Sequence, residues 1–452
     1  MYSKFNKIHL VGVGGIGMSG IAELLRRHGY TVTGSDIKSN DIVRQLQASG
    51  IQVFIGHSAE NIRGVDLIVF SSAIQTTNPE MQEAERLQIP AIPRAEMLSE
   101  LMRLKYGIAV AGSHGKTTTT SMISLILVEA KLDPTIVVGG RMDNFGGTNA
   151  RLGTGNFMVV EADESDGSFN KLTPTIAIVT NVDREHMDHY RTMGKVKQAF
   201  CSFLNKVPFY GLCVVCGDDP YLKTILPKVS RRKKTYGFAP SNSYHIEAYE
   251  PHGTGSRVTL NIEGKKEILL LKVPGKHNAL NAVAALAVAD DLAVPREISI
   301  AALAEFHGVQ RRFQRRGEKS GVVFIDDYAH HPSEIRAVLS AAREQYPNNK
   351  VRVVFQPHRY SRTEDLLDQF STSFKACDSV TVLDVYAAGE LPIAGIDGST
   401  VADCISRDGH KDANYLRSSK EAIEQFLSES SPGDLIMTLG AGDLPSVYKD
   451  LF

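Results

Sequence analysis

Short apolar runs recur along the chain, many ending in glycine and followed by apolar positions at helical spacing. The clearest are KIHLVGVGGIGMSG (7–20), GIAVAGSHGKTT (107–118) and DLIMTLGAGD (434–443). In each, the pattern predicts a strand, a glycine turn and then a helix, the repeating unit of α/β layers built on parallel sheet. Three such openings predict three nucleotide-type folds in series, with no close sequence repeat between them.

The first unit continues through strands in YTVTGSD (30–36) and VDLIVFSSAI (65–74), and IPAIPRAEML (89–98) leads out of it. The second opens near residue 107 and includes NFMVVEADE (156–164) and PTIAIVTNVD (174–183). Between 244 and 273 the pattern changes to alternating runs separated by glycine turns, as in antiparallel strands. A helix from His277 to Leu292 follows, and strands GVVFIDDY, KVRVVFQP, DSVTVLDVY and DLIMTLGAG belong to the third unit. The expected domains are therefore 1–106, 107–309 and 310–452.

Composition changes this picture little. The 452 residues are 42% hydrophobic and 22% charged, ordinary for globular material and too many for one core. Fifty Lys and Arg nearly cancel 51 Asp and Glu, so charge gives no reason to expect nucleic acid or an anionic membrane as partner. No apolar run reaches membrane-spanning length, and the N-terminal pattern lacks a secretory layout. Five cysteines, an odd number, argue against a disulfide framework. Cys213 and Cys216 fall on a predicted strand, where residues three apart face opposite ways and cannot easily clasp one metal. A cytoplasmic enzyme is the expectation.

Two loops carry candidate chemistry. Gly12, Gly14 and Gly17 fit a dinucleotide-type fingerprint, and Asp36 closes the next strand where such sites keep an acid for a ribose hydroxyl. Taken alone, that loop suits an NAD-dependent dehydrogenase. The second loop, Gly112–Ser113–His114–Gly115–Lys116–Thr117–Thr118, offers backbone N–H groups, a lysine for phosphate oxygens and a hydroxyl for Mg²⁺ at a helix start. Val110 stands where the strict pattern has its first glycine, yet the context predicts an ATP site. Glu161, ending a strand that faces this loop, is the natural second Mg²⁺ ligand beside Thr117. Asn181, Asp183, His186 and Asp188 lie at another strand's carboxyl end.

In order along the chain come GVGGIGMSGIA, GSD, AGSHGKTTTT, EADESDGSF, NVDREHMDHY, GKHNALNA, RRF, DDYAHHP and QPHRYSRT. Together these motifs resemble those of the Mur ligases, over almost the whole chain. The resemblance implies a Rossmann-like N-terminal domain, a central P-loop ATPase domain with an added antiparallel segment, and a Rossmann-like C-terminal domain. It implies ATP-driven amide formation between the carboxylate of UDP-N-acetylmuramate and L-alanine, through an acyl phosphate, in a monomer or homodimer. It implies two Mg²⁺ ions, the second held with the help of His186. Sister ligases carry a modified lysine further on; the roughly aligned positions here are Phe200 and Cys201, which argues against a bridging carbamate.

By the same resemblance, His277, Asn278 and Asn281 lie beside adenine, where asparagine amides can read its edge. Arg312 reaches the ATP phosphates, and Asp326 or Asp327 the ribose side. Gly14, Gly15, Ile16, Gly17, Met18, Asp36, Ser71, Ser72, Arg94, Glu164 and Ser165 serve the UDP-sugar. Arg359 and Arg362 suit the amino-acid carboxylate, while Tyr328, His330 and His358 orient or deprotonate its amine. With Lys116 and His186, His330 and His358 form the expected catalytic set. Ala329 and Ser113 stand where the pattern commonly has Gly and Thr. The readings in competition are a ligase that attaches murein tripeptide to the same nucleotide sugar, a dehydrogenase with an accessory ATPase, and an ATP-switched binding protein.

Overall fold

In the computed structural model, residues 5–71, 73–145, 148–449 and 451–452 are described. Three sheets account for the chain's α/β pattern. The first is five-stranded and parallel, in the order Gln52–Ile55, Thr31–Asp36, Lys7–Val11, Leu67–Phe70, Ala91–Pro93. Ile8, Leu10, Val11, Ile68 and Val69 are wholly buried, as in a parallel sheet covered by helices.

The second sheet is centred on the parallel strands Leu212–Cys216, Ile176–Val179, Tyr106–Ala111 and Phe157–Glu161 in that order. Thr135–Met142 and Thr148–Arg151 extend it as an antiparallel pair, which the sequence pattern did not single out. Tyr244–His252, Gly255–Ile262 and Lys265–Leu271 are the strands of the alternating segment, and a helix follows at Lys276–Asp291 as expected. Cys213 and Cys216 lie on a strand and are buried free thiols.

The third sheet has the order Gln314–Lys319, Val322–Asp327, Leu435–Leu439, Val351–Phe355, Ser379–Val382, Ala413–Tyr415. Its five inner and far strands are parallel, and only Gln314–Lys319 at the edge is antiparallel. That edge strand, QRRGEK, is polar throughout, so apolar patterning could not reveal it. After Leu435–Leu439 comes a 3₁₀ segment, Leu444–Lys449, in place of the predicted α-helix.

Contacts divide the chain into two units, one of 1–248, 259–269 and 280–306 and the other of 249–258, 270–279 and 307–452. Within the first unit the first two sheets are joined directly. A Cβ on Gly20, in the helix Ile16–Arg27, would lie 3.0 Å from that of Ala150, and the Asn149 amide donates to Ser19 at 3.3 Å. Ser99 donates to the Lys171 carbonyl, and Arg94 lies 3.4 Å from Asp163. Within the second unit Phe355 packs on Phe370 and Phe374, giving the C-terminal sheet an aromatic core below its carboxyl edge. Among the described residues, no helix is long and apolar enough to cross a membrane.

Candidate active site

The loop after Tyr106–Ala111 is built from the backbone outward. Gly112 and Gly115 have φ of 133° and 80°, and side chains there would collide with Thr180 Oγ1 and Asn281 Oδ1 at 2.1 and 2.6 Å. The neighbouring strand's end clamps the turn. Ser113 N–H donates to the Asn181 carbonyl, His114 N–H to Asn181 Oδ1, and the His114 carbonyl accepts from Thr180 and Asn181. Ser113 Oγ accepts Asp183 N–H, and the His114 ring lies 3.1 Å from Asp183. The helix that follows, Lys116–Glu129, is buried through most of its length despite its run of threonines. Thr120, Ser121 and Ser124 donate their hydroxyls to carbonyls one turn back, which lets a polar run enter a core.

Lys116 is the charge at the centre. Its ammonium donates to the Gly112 and Ser113 carbonyls at 2.7 and 3.1 Å and to Glu164 Oε1 at 2.8 Å. Burial disfavours its charge, but Glu164, Glu161 and Glu185 outweigh that and keep it protonated. For Glu164, burial dominates and raises the carboxyl to about 8 against the pull of Lys116. Glu164 is thus Lys116's partner here, whereas the sequence reading grouped it with the UDP-sugar.

Thr117 Oγ1 lies 3.0 and 2.9 Å from the two Glu161 oxygens, and Gly139 N–H donates to the same carboxylate. His186, held at φ 55°, has Nε2 3.8 Å from Glu164 and 3.9 Å from Glu185. Glu164, Glu185 and His186 bring ligand atoms within 4.8 Å of one another. This oxygen-rich donor set suits a hard divalent cation. The sequence reading missed Glu185; its signal, a buried acid next to His186, exists only in three dimensions.

The first glycine loop is shaped by the strand beside it. Gly12 (φ 80°) and Val13 donate N–H groups to the Ser35 carbonyl, and Gly14 N–H donates to Asp36 Oδ2 at 2.9 Å. A Cβ on Gly14 would stand 2.8 Å from that oxygen, and one on Gly17 would stand 3.0 Å from Arg94. Gly15 caps the helix Ile16–Arg27 without a side-chain bond, so its first turn presents backbone N–H groups. Met18 turns its side chain into the core, leaving only its backbone near the loop. Ser71 lies under Gly12, and Ser165 N–H donates to Asp163, the partner of Arg94. Ser72 and the side chain of Ile16 fall outside the described residues.

In the second unit, DDYAHHP and QPHRYSRT leave the same sheet edge, as expected from two parallel strands flanking Leu435–Leu439. The His330 and His358 rings lie 5.8 Å apart, and His358 stacks on Tyr386 at 5.5 Å. Tyr328 has the Arg311 and Arg312 guanidiniums over its ring, at 5.0 and 5.1 Å. His330 Nδ1 lies 3.0 Å from the Tyr328 carbonyl, so it carries the proton and Nε2 is the acceptor. His358 is opposite: Arg362 donates to Nδ1 at 3.2 Å, which puts the neutral ring's proton on Nε2. Arg359, at φ 72°, pairs through Nε with Glu390 at 2.7 Å, and Glu390 also accepts from Ser361 N–H and Oγ.

Arg312 pairs with Glu334 at 3.3 Å and lies close enough to His277 to depress its titration. Asn278 gives its amide N–H to the Pro274 carbonyl at 2.7 Å, and in the first unit Asn281 accepts from Thr119 beside Gly115. Asp326 and Asp327, expected at a ribose, are only 1% and 3% exposed and taken up internally. Asp326 accepts from Thr438 and lies 3.4 Å from Arg311; Asp327 accepts Phe313 and Ala329 N–H groups. Together they hold the left-handed backbone of Arg311 and Phe313 (φ 60° and 47°). Arg311, also missed from sequence, completes that turn by donating to the Gly440 and Gly442 carbonyls.

Three family models match in series: "Mur ligase family, catalytic domain" over residues 7–106, "Mur ligase middle domain" over 110–289, and "Mur ligase, glutamate ligase domain" over 311–442. The UDP-N-acetylmuramate–L-alanine ligase of Sorangium cellulosum is 50% identical over 99% of this chain and 96% of its own. That of Syntrophotalea carbinolica is 48% identical over 100% and 98%. Among solved structures, the UDP-N-acetylmuramate–alanine ligase MurC of Thermotoga maritima superposes with a TM-score of 0.83 at 32% identity, covering 98% of this chain and 97% of that one. A murein peptide ligase from Psychrobacter arcticus shares the fold, with a TM-score of 0.73 at 23% identity over 99% and 98%.

Two half-buried rings of the second unit set a pH dependence. Burial first, then Arg312, lowers His277 to about 4; burial, then His330, Arg362 and Arg359, lowers His358 to about 3. An unfolded chain protonates both near 6.5, well before the folded unit does, so acidification favours unfolding. Asp327 opposes this, because burial raises it from 3.8 to about 6. The two rings draw stability down between pH 7 and pH 5, and Asp326, which burial also raises, stands with Asp327 against that loss. His358→Gln should reduce that loss by about 2 kcal/mol in urea denaturation; an unchanged pH dependence would mean His358 titrates normally.

Proposed function

This chain belongs to the Mur ligase family, and from that premise we propose that it joins L-alanine to the carboxylate of UDP-N-acetylmuramate in an ATP-dependent reaction forming ADP and phosphate. What supports the substrates is near-half identity over the full chain to ligases named for them, in a molecule with both glycine loops and the Arg359–His330 group. The murein peptide ligase likeness is at the level of fold. The family resemblance and the residues together suggest domains of 1–106 for the UDP-sugar, 107–309 for ATP and 310–452 for the amino acid.

A carboxylate resists attack by an amine, so ATP first converts it to an acyl phosphate, which has a good leaving group. Transfer between two anions needs charge neutralisation and alignment more than covalent help. In this reading Lys116 turns from the Gly112 and Ser113 carbonyls towards the phosphates, while the N–H groups of 115–118 line the helix end. Thr117 with Glu161, and His186 with Glu164 and Glu185, are the residues that would hold Mg²⁺, two ions in all, supplying further positive charge. His277, Asn278 and Asn281 serve the adenine, and Arg312 the phosphates. Asp326 and Asp327 act by holding the Arg311–Phe313 turn that presents Arg312.

For the UDP-sugar, the backbone from Gly14 to Met18 faces the diphosphate, with Arg94 beside Gly17 and Asp36 next to the uridine; Ser71, Ser72 and Ser165 complete that group. For L-alanine, Arg359 and Arg362 hold the carboxylate. His330, with Nε2 as acceptor, takes the amine proton; His358, with its proton on Nε2, and Tyr328 orient the nucleophile. Attack on the acyl phosphate gives a tetrahedral intermediate that collapses to the amide with loss of phosphate.

The deciding experiment follows phosphate release by the pure enzyme. Release should require ATP, UDP-N-acetylmuramate and L-alanine together; ATP turnover independent of either would overturn the reading, as would equal use of murein tripeptide. Lys116→Ala should lower phosphate release at least about 10³-fold while calorimetry finds UDP-N-acetylmuramate still bound. Wild-type turnover in that variant would remove Lys116 from the chemistry. Arg359→Ala should raise the KM for L-alanine at least about tenfold, the scale of a lost charge-assisted bond, and leave that for ATP unchanged.

A further inference from the structure

Glu80 has no part in the reading above, yet it is 0% exposed in the first turn of the helix Pro79–Leu87. A buried carboxylate is costly unless donors surround it. Here Oε2 accepts Ser35 Oγ at 2.6 Å and lies 3.1 Å from His57 Nδ1. Oε1 accepts the Asn61 amide at 2.6 Å and lies 3.7 Å from Nε2 of the buried His9, whose Nδ1 is 2.8 Å from Thr33. Two strands, the loop beyond a third and a helix thus converge on one carboxylate. Burial works to raise Glu80, but His9, Ser35 and Asn61 reverse that and hold it at about 2.

The network ends at the first glycine loop. The Ser35 carbonyl takes both Gly12 and Val13 N–H groups, at 2.9 and 3.0 Å, and the next residue, Asp36, takes that of Gly14. Ser35 is therefore gripped by Glu80 on its side chain and grips the loop with its backbone. We propose that Glu80 is a positioning residue for the UDP-sugar site, fixing through Ser35 the strand end that sets the backbone of Gly12–Gly14 without touching ligand. This rests on the reading of that loop as the UDP-sugar site.

A carboxylate is the fitting group because its neighbours present donors to both oxygens. Glutamine has one oxygen and no charge, so one side of the network loses its acceptor; an NH₂ turned to Ser35 and His57 makes both of them acceptors in place of the donors that now hold the carboxylate. Steady-state kinetics test this, with each substrate varied in turn. Glu80→Gln should raise the KM for UDP-N-acetylmuramate about tenfold, the scale of one charge-assisted bond, while kcat and the KM for ATP stay within about twofold. Ser35→Ala removes only the linking hydroxyl, so it decides the matter if Glu80→Gln does not fold. It should raise the same KM about threefold, with the double variant no worse than Glu80→Gln. An unchanged UDP-sugar KM in the folded variants, or a parallel rise for all three substrates, would overturn the proposal and leave Glu80 a stability residue. Asp36→Ala separates the premise: an unchanged UDP-sugar KM there would overturn the loop's assignment itself.

Discussion

A protonated lysine buried among carboxylates is the interaction on which the centre of the first unit depends. Lys116 cannot be housed by its own loop alone, because two carbonyls carry only partial charge. Glu164 supplies the third contact, its own carboxyl lifted by burial, and Glu161 and Glu185 bring negative charge from further out. Removing one partner from such a pair leaves an uncompensated buried charge, which is far more costly than the pair itself. The turn at Gly112–Gly115, the strand end at 180–183 that clamps it and the helix carrying Thr117 are therefore arranged around one charge balance. An entering phosphate offers Lys116 an alternative to Glu164 rather than a first partner.

Much of this architecture was legible in the chain. Glycine turns after apolar runs marked the strand ends, and both phosphate-type loops lie where the pattern put them. The parallel strands preceding DDYAHHP and QPHRYSRT correctly implied a shared edge. What escaped was of two kinds. The strand Gln314–Lys319 is polar and lies at an edge, so no apolar period announces it. Glu80, Glu185 and Arg311 act through partners distant in sequence, and a lone charged letter does not say whether it meets water or a buried donor. Asp326 and Asp327 show the reverse, a paired acid motif whose side chains are used inside the domain.

Of the twelve described non-glycine residues with positive φ, four lie at the candidate site. His186, Arg311, Phe313 and Arg359 all occupy the left-handed region without being glycine. Each is over-determined by neighbours: Asp327 and Gln314 brace the RRF turn, and the Tyr386 carbonyl takes Arg359 N–H. Such conformations persist only where surroundings hold them, and at His186, Arg311 and Arg359 they aim an imidazole or a guanidinium from a rigid base.

The helix Lys116–Glu129 has a consequence beyond geometry. From Thr117 to Leu127 every residue is buried, so the element that carries the phosphate loop is itself interior packing. Most enzymes can drift at positions behind a site while the site is kept. Along this helix that separation is absent: a change that harms the core displaces the loop, and a change in the loop opens the core. Selection for folding and selection for turnover read the same letters, which leaves resistance mutations or engineered variants few neutral steps through this segment.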